Sequence, residues 1–116
     1  MPRDYSFHLY IMASKSRRLY TGMTKGLWAR VKDHKEGKME GFTKKHQINR
    51  LVYFESFKYV KNCIDREKQV KDWTRAKRVA LIQSLNPTWE DLAEDWYKDE
   101  NEKQVARSAR DDKSKK

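Results

Sequence analysis

Three short runs rich in aromatic and apolar residues, at 7–12, 19–24 and 50–57, are the strand-forming segments of this chain. A sheet that small has to bury its apolar face against helices. The first two runs flank the polar turn 14–18 and read as a hairpin. With the turn centred near Lys15, Tyr10 and Tyr20 fall opposite or nearly opposite each other, where Cβ atoms approach to about 5 Å. Gly26 precedes a helical stretch over 27–38, which Gly37 helps to end, and Gly41 marks the loop before the third strand. Two further helices are expected over 60–73 and 76–85, and Pro87 closes the second of them. Thr88-Trp89-Glu90-Asp91 matches a capping box opening a fourth helix. The order β-β-α-β-α-α-α predicts an α/β (α+β) fold with a three-stranded, largely antiparallel sheet flanked by helices. One domain is expected over 1–97, followed by a charged, disordered tail over 98–116.

The core must be small, because only 37% of the 116 residues are hydrophobic while 38% are charged. The 27 Lys and Arg outweigh 17 Asp and Glu, for a net charge of +10. The excess lies on the folded part, since residues 98–116 contribute only +2 of it. A surface of this sign attracts polyanions, with DNA as the expected partner and RNA also compatible. The lone cysteine, Cys63, excludes an intrachain disulfide and a zinc finger. It reads as a packing residue in a reducing compartment. No apolar run reaches the length of a membrane span, and the first residues lack a signal peptide's apolar segment, so a cytoplasmic protein without membrane contact is expected.

Arg30 and His34 stand four apart on the first helix and project from one face. A guanidinium beside an imidazole suits a phosphate ester, because arginine clamps two oxygens while histidine binds phosphate or moves a proton. Taken alone, the pair equally describes a solvated basic stripe with Lys38. On the next helix, Val60, Ile64 and Val70 fall on one side with Cys63 nearby, and Glu67 lies three residues from both Ile64 and Val70, where an inward apolar residue is expected. A carboxylate there needs a cation or donor beside it. A divalent metal and an ordinary ion pair with a neighbouring Lys or Arg both meet that need. Tyr10, Tyr20 and Tyr53 each suit a half-buried strand, Asn86 suits a helix end before Pro87, and Trp73, Trp89 and Trp96 read as packing residues.

Together these elements resemble the GIY-YIG endonuclease superfamily, in its small stand-alone bacterial type related to the nuclease domain of the UvrC repair protein. His8-Leu9-Tyr10 and Tyr20-Thr21-Gly22 stand where the two family triplets do, both degenerate but keeping the tyrosines and the second glycine. The helix from Leu27 to Gly37 carries the family's arginine and histidine, Arg66-Glu67-Lys68-Gln69 its glutamate, and the segment from Asn86 to Leu92 its asparagine.

The resemblance implies a metal-dependent endonuclease acting on DNA, with a role in repair or recombination. Glu67 would hold Mg²⁺ or Mn²⁺, Arg30 would stabilise developing charge, and Tyr10 or Tyr20 would deprotonate water. His34 would assist proton transfer or bind phosphate, and Asn86 would orient the site. Lys32, Lys35, Lys44 and Lys45 would attract the nucleic-acid backbone without reading bases. Two other readings fit the charge: a non-catalytic nucleic-acid-binding module on the same fold, and an adaptor for an acidic protein.

Overall fold

A computed structural model describes residues 6–39 and 41–98. Strands β1 (Phe7–Ala13), β2 (Leu19–Thr24) and β3 (Arg50–Phe57) form one antiparallel sheet in the order β2-β1-β3. β1 is therefore central, and its residues from Leu9 to Ala13 are essentially inaccessible to solvent. The hairpin loop closes through Ser14, whose carbonyl accepts from Arg17 N at 2.9 Å and whose hydroxyl accepts from Arg18 N at 3.0 Å. Arg17 takes the left-handed conformation there, at φ 71°.

Helices α1 (Leu27–Lys35), α2 (Phe42–Lys45), α3 (Val60–Asp72) and α4 (Arg75–Leu85) complete the fold, which is the α+β class expected. The first helix stops three residues earlier than its sequence pattern suggests, and the loop at Gly41 holds the one-turn helix α2. α4 begins one residue earlier than expected, with the Thr74 hydroxyl accepting from Lys77 N at 3.2 Å as its cap.

Side-chain alternation along β1 separates two layers. Leu9, Ile11 and Ala13 pack with Cys63 and Val70 of α3, Ile82 of α4, and Trp89. Tyr10 and Met12 pack on the other face with Leu27 and Val31 of α1, Ile48 and Ala93. β3 accommodates both layers through a bulge. Ile11 pairs Tyr53 whereas Met12 pairs Leu51, so Val52 is the extra residue. Val52 and Tyr53 consequently both join the α3–α4 layer, and Leu51 joins the other.

The capping-box helix expected at Thr88 does not form. Thr88 Oγ1 reaches the Glu90 carboxylate at 3.2 Å instead, and residues 92–97 run in turns. The cause lies in Asp91, whose carboxylate accepts from Leu51 N and Ala93 N, both at 3.1 Å, and from the Lys35 ammonium. Leu92 N donates to Leu51 O at 2.7 Å. These bonds occupy the backbone of edge strand β3 at the bulge. The expected tail lies outside the described residues apart from Lys98. Among the described residues, no helix is long and apolar enough to cross a membrane.

Candidate active site

Tyr10 leaves the centre of β1 on the α1 side, and Gly22 is its cross-strand partner. Tyr20 pairs with Met12, so the two tyrosines are diagonal neighbours on one face rather than directly opposite. Their ring centroids lie 6.2 Å apart. Gly22 is glycine for a local reason: a Cβ there would stand 2.9 Å from Tyr10 Oη and 3.1 Å from Tyr20 Cε2. Both phenols thus lie against a bare stretch of β2.

α1 brings the third ring. His34 is buried, with its centroid 5.6 Å from Tyr10 and 5.4 Å from Tyr20. Its Nε2 is 3.1 Å from Tyr10 Oη, and its Nδ1 has no hydrogen-bond partner. Burial, reinforced by the Arg30 charge and opposed by Asp33, holds the His34 pKa down to about 4. Burial, and then the neighbouring Tyr20, pushes Tyr10 up to about 12 against the opposing pull of Arg30. At neutral pH the pair is therefore a protonated phenol beside a neutral imidazole, with a guanidinium close by. Tyr20, on the edge strand, stays half-exposed. Arg30 lines an open depression with Lys25 and Asp33 where β2 meets α1.

Glu67 stands elsewhere. The buried stripe of α3 runs through Cys63 and Val70, not through Val60, which is 44% exposed. Glu67 lies four residues after Cys63 and three before Val70, in the middle of that stripe. Its side chain retains only 17% of its exposure and pairs with Lys71 Nζ at 2.9 Å. Its carboxylate points towards the core closely enough to add to the burial that pushes the Cys63 thiol up to about 11. α3 packs across the Leu9 face of the sheet, on all three strands. The sheet therefore stands between α3, which carries Glu67, and the Tyr10–His34 cluster.

Two expected site residues have structural work instead. Asn86 is buried, donating from Nδ2 to Val52 O at 3.1 Å and Glu90 O at 2.9 Å while Oδ1 accepts from Glu90 N at 2.9 Å. With its amide occupied, Asn86 fastens the segment after α4 to β3. Lys35 is held by Asp91 and by Asn49 O at 3.2 Å, so its ammonium is engaged within the fold rather than offered to a phosphate. Lys32 extends over the Trp28 ring, 5.4 Å from its centroid. Lys44 and Lys45 are exposed on α2. Together with burial, Arg18 and Lys45 hold His46 below its ordinary pKa, which places these cations on one patch.

Sequence reasoning missed what orients Glu67. Its neighbour Arg66 grips Glu55 of β3, with Nε at 3.0 Å from Oε1 and Nη2 at 2.9 Å from Oε2, and Tyr53 donates to the same carboxylate. Tyr53 is thus part of a clamp between α3 and β3. The signal for it was Arg66 adjoining Glu67, but its acidic partner is eleven residues away.

Residues 6–80 match the family model described as the GIY-YIG catalytic domain. A UPF0213 protein of Clostridium perfringens is 36% identical over 77 residues, spanning 66% of this chain and 83% of the relative. A UPF0213 protein of Staphylococcus aureus is 35% identical over 77 residues, spanning 66% of this chain and 94% of the relative. The solution NMR structure of a UPF0213 protein from Bacillus halodurans is 28% identical, with a TM-score of 0.49 over 73% of this chain and 90% of the other. This chain belongs to the GIY-YIG nuclease-domain family, among its small stand-alone members.

Proposed function

We propose that this protein is a divalent-metal-dependent endonuclease that hydrolyses DNA phosphodiesters. The observation that carries the reading is the convergence of Tyr10, Tyr20, His34 and Arg30 around Gly22, since packing alone does not need two phenols, an imidazole and a guanidinium on one face. Glu67 suits a water-rich ion such as Mg²⁺ or Mn²⁺. It is one half-buried carboxylate, and among the described residues no cluster of three or more His, Cys, Asp or Glu forms a cage. When bound, such an ion supplies stabilisation of charge on the phosphorus and leaving oxygens.

The chain's own residues divide the remaining work. Tyr20 is the better proton acceptor, because water reaches it on the edge strand, whereas Tyr10 is buried and bonded to His34. A phenol accepts a proton only as the phenolate, a form that neighbouring positive charge favours in general. As the water oxygen bonds to phosphorus, its proton passes to Tyr20 Oη and the bond to the departing sugar oxygen breaks. Arg30 donates to the non-bridging oxygens. Tyr10 and neutral His34 hold the Tyr20 ring and Arg30 in register. The scissile phosphate lies at the β2 edge, within reach of both layers.

Lys44, Lys45 and Arg18 attract the nucleic-acid backbone, and RNA offers them the same phosphates. A role in repair or recombination, and a cytoplasmic setting for the reduced Cys63, complete the proposal. The Glu67–Lys71 ion pair favours a second reading, a non-catalytic module that only binds nucleic acid.

Cleavage of labelled duplex, nicked and branched DNA with Mg²⁺ or Mn²⁺ tests the proposal, with wild type and Glu67→Gln side by side. Cutting by wild type, lowered at least about a hundredfold in the variant, is expected for a group acting in the transition state. Binding without cutting by either protein would establish the second reading.

A further inference from the structure

On the Tyr10 side of the sheet, a cavity of about 400 Å³ opens beside the cluster, lined by Leu27, Trp28, Phe54 and Trp96. Its walls are aromatic and aliphatic, yet it faces solvent on a chain of net charge +10, and Trp28 is 47% exposed. The walls are held before any ligand arrives. Tyr97 donates its hydroxyl to Trp28 O at 2.7 Å and sets its ring edge-on to the indole, 4.8 Å between centroids. Trp96 meets Phe54 edge-on at 6.2 Å. The Lys32 ammonium over Trp28 gives the rim a positive charge.

We infer that this cavity is a slot for an unpaired nucleobase adjoining the phosphate that is cut; the inference rests on the nuclease reading and names its substrate class. Rigid aromatic walls beside a cation are the chemistry that holds unstacked bases next to their phosphates. Position agrees. Phe54 is the cross-strand partner of Tyr10, so the slot begins one strand spacing, about 4.8 Å between backbones, from β1 and two from Tyr20 on β2. Leu27 and Trp28 open the helix that carries Arg30 and His34. Trp28 and Arg30 are two apart and do not share a face of α1, so a strand whose phosphate meets Arg30 would wrap the start of the helix to bring a base one or two nucleotides away to Trp28. The apolar lining offers little to read base edges, so the slot selects for unpaired structure rather than sequence. Bases in intact duplex are stacked and do not fill it, which favours single-stranded, gapped or branched DNA.

Binding of the full chain to a labelled oligo-dT decamer and to an abasic decamer of equal length tests this, in EDTA so that cleavage plays no part. Trp28→Ala is expected to weaken binding of oligo-dT about tenfold, within the range for loss of one stacked base, and to leave the abasic decamer unchanged. Trp28→Phe is expected to keep most of the affinity. Unchanged oligo-dT binding by Trp28→Ala, or an equal loss on both decamers, overturns the inference. If that unchanged affinity came with loss of self-association, the slot would belong to a second copy of the chain. Because no metal is present, these outcomes stand apart from whether Glu67→Gln loses cleavage.

Discussion

Replacing Gly22 with alanine tests the packing of the tyrosine cluster directly. In an ordinary strand, glycine to alanine stabilises by about 0.5–1 kcal/mol, through the entropy that glycine loses on folding. Here the new Cβ would stand 2.9 Å from Tyr10 Oη and 3.0 Å from its Cζ. The ring must retreat by roughly half an ångström to reach normal contact. Tyr10 cannot swing outward, being fully buried with its hydroxyl 3.1 Å from His34 Nε2. Overpacking of this kind costs about 1–3 kcal/mol, and loss of the Tyr10–His34 bond adds about 1 kcal/mol. After the entropic gain, the net is destabilisation by about 1–3 kcal/mol. At about 4–8 °C per kcal/mol for a domain of this size, Tm falls by at least several degrees. Thermal and urea unfolding followed by circular dichroism measure this. Gly26→Ala is the control: its Cβ meets nothing within 4 Å, and the entropic gain and the weaker helix cap, each under about 1 kcal/mol, oppose one another. Tyr10→Phe in the Gly22→Ala background should restore part of the loss, because it removes the nearest atom. A Gly22→Ala protein as stable as wild type would refute the packing argument.

Two further predictions concern charge. The folded pKa of His34 lies near 4 while its unfolded value is 6.5, so below 6.5 the unfolded chain binds the extra proton. The stability owed to neutral His34 is therefore lost as pH falls from 6.5 towards 4, at up to about 1.4 kcal/mol per unit. The urea midpoint of wild type should fall more steeply across that window than that of His34→Gln, and parallel curves would count against it. Lys35→Met should destabilise the fold by about 1–3 kcal/mol, through loss of a partner to half-buried Asp91, with the salt dependence of DNA binding unchanged. Lys44→Ala with Lys45→Ala should do the reverse, lowering the slope of log affinity against log salt by about 2 if each meets one phosphate. Interchanged results would reverse the assignments.

The strands were legible because their aromatic and β-branched content is local information, and the family resemblance placed the site residues on them. α2 was not legible, since four residues carry no periodicity. Asp91 misled because its immediate neighbours suggest a helix start, whereas its partners Leu51 and Lys35 lie 40 and 56 residues away. The partners of Asn86 and Lys35 were not legible for the same reason: a polar side chain's engagement depends on groups brought by topology. The inward direction of Glu67 was legible from Val70 alone. The Val60 end of that pattern failed because the first turn of α3 stands proud of the sheet.

The alternation of side chains along β1 and β2 also explains how the two signature triplets drift. In His8-Leu9-Tyr10, the middle letter packs against Cys63 and Val70 while the third meets His34 across the sheet. In Tyr20-Thr21-Gly22, Thr21 pairs with Ile11 on the α3–α4 side, and its two neighbours lie on the side of Tyr10. The division holds for the second triplet, whereas in the first His8 shares the face of Tyr10 and still departs from the family's letter. A search that weights the two tyrosines and the second glycine above the other letters keeps relatives that an equal weighting discards.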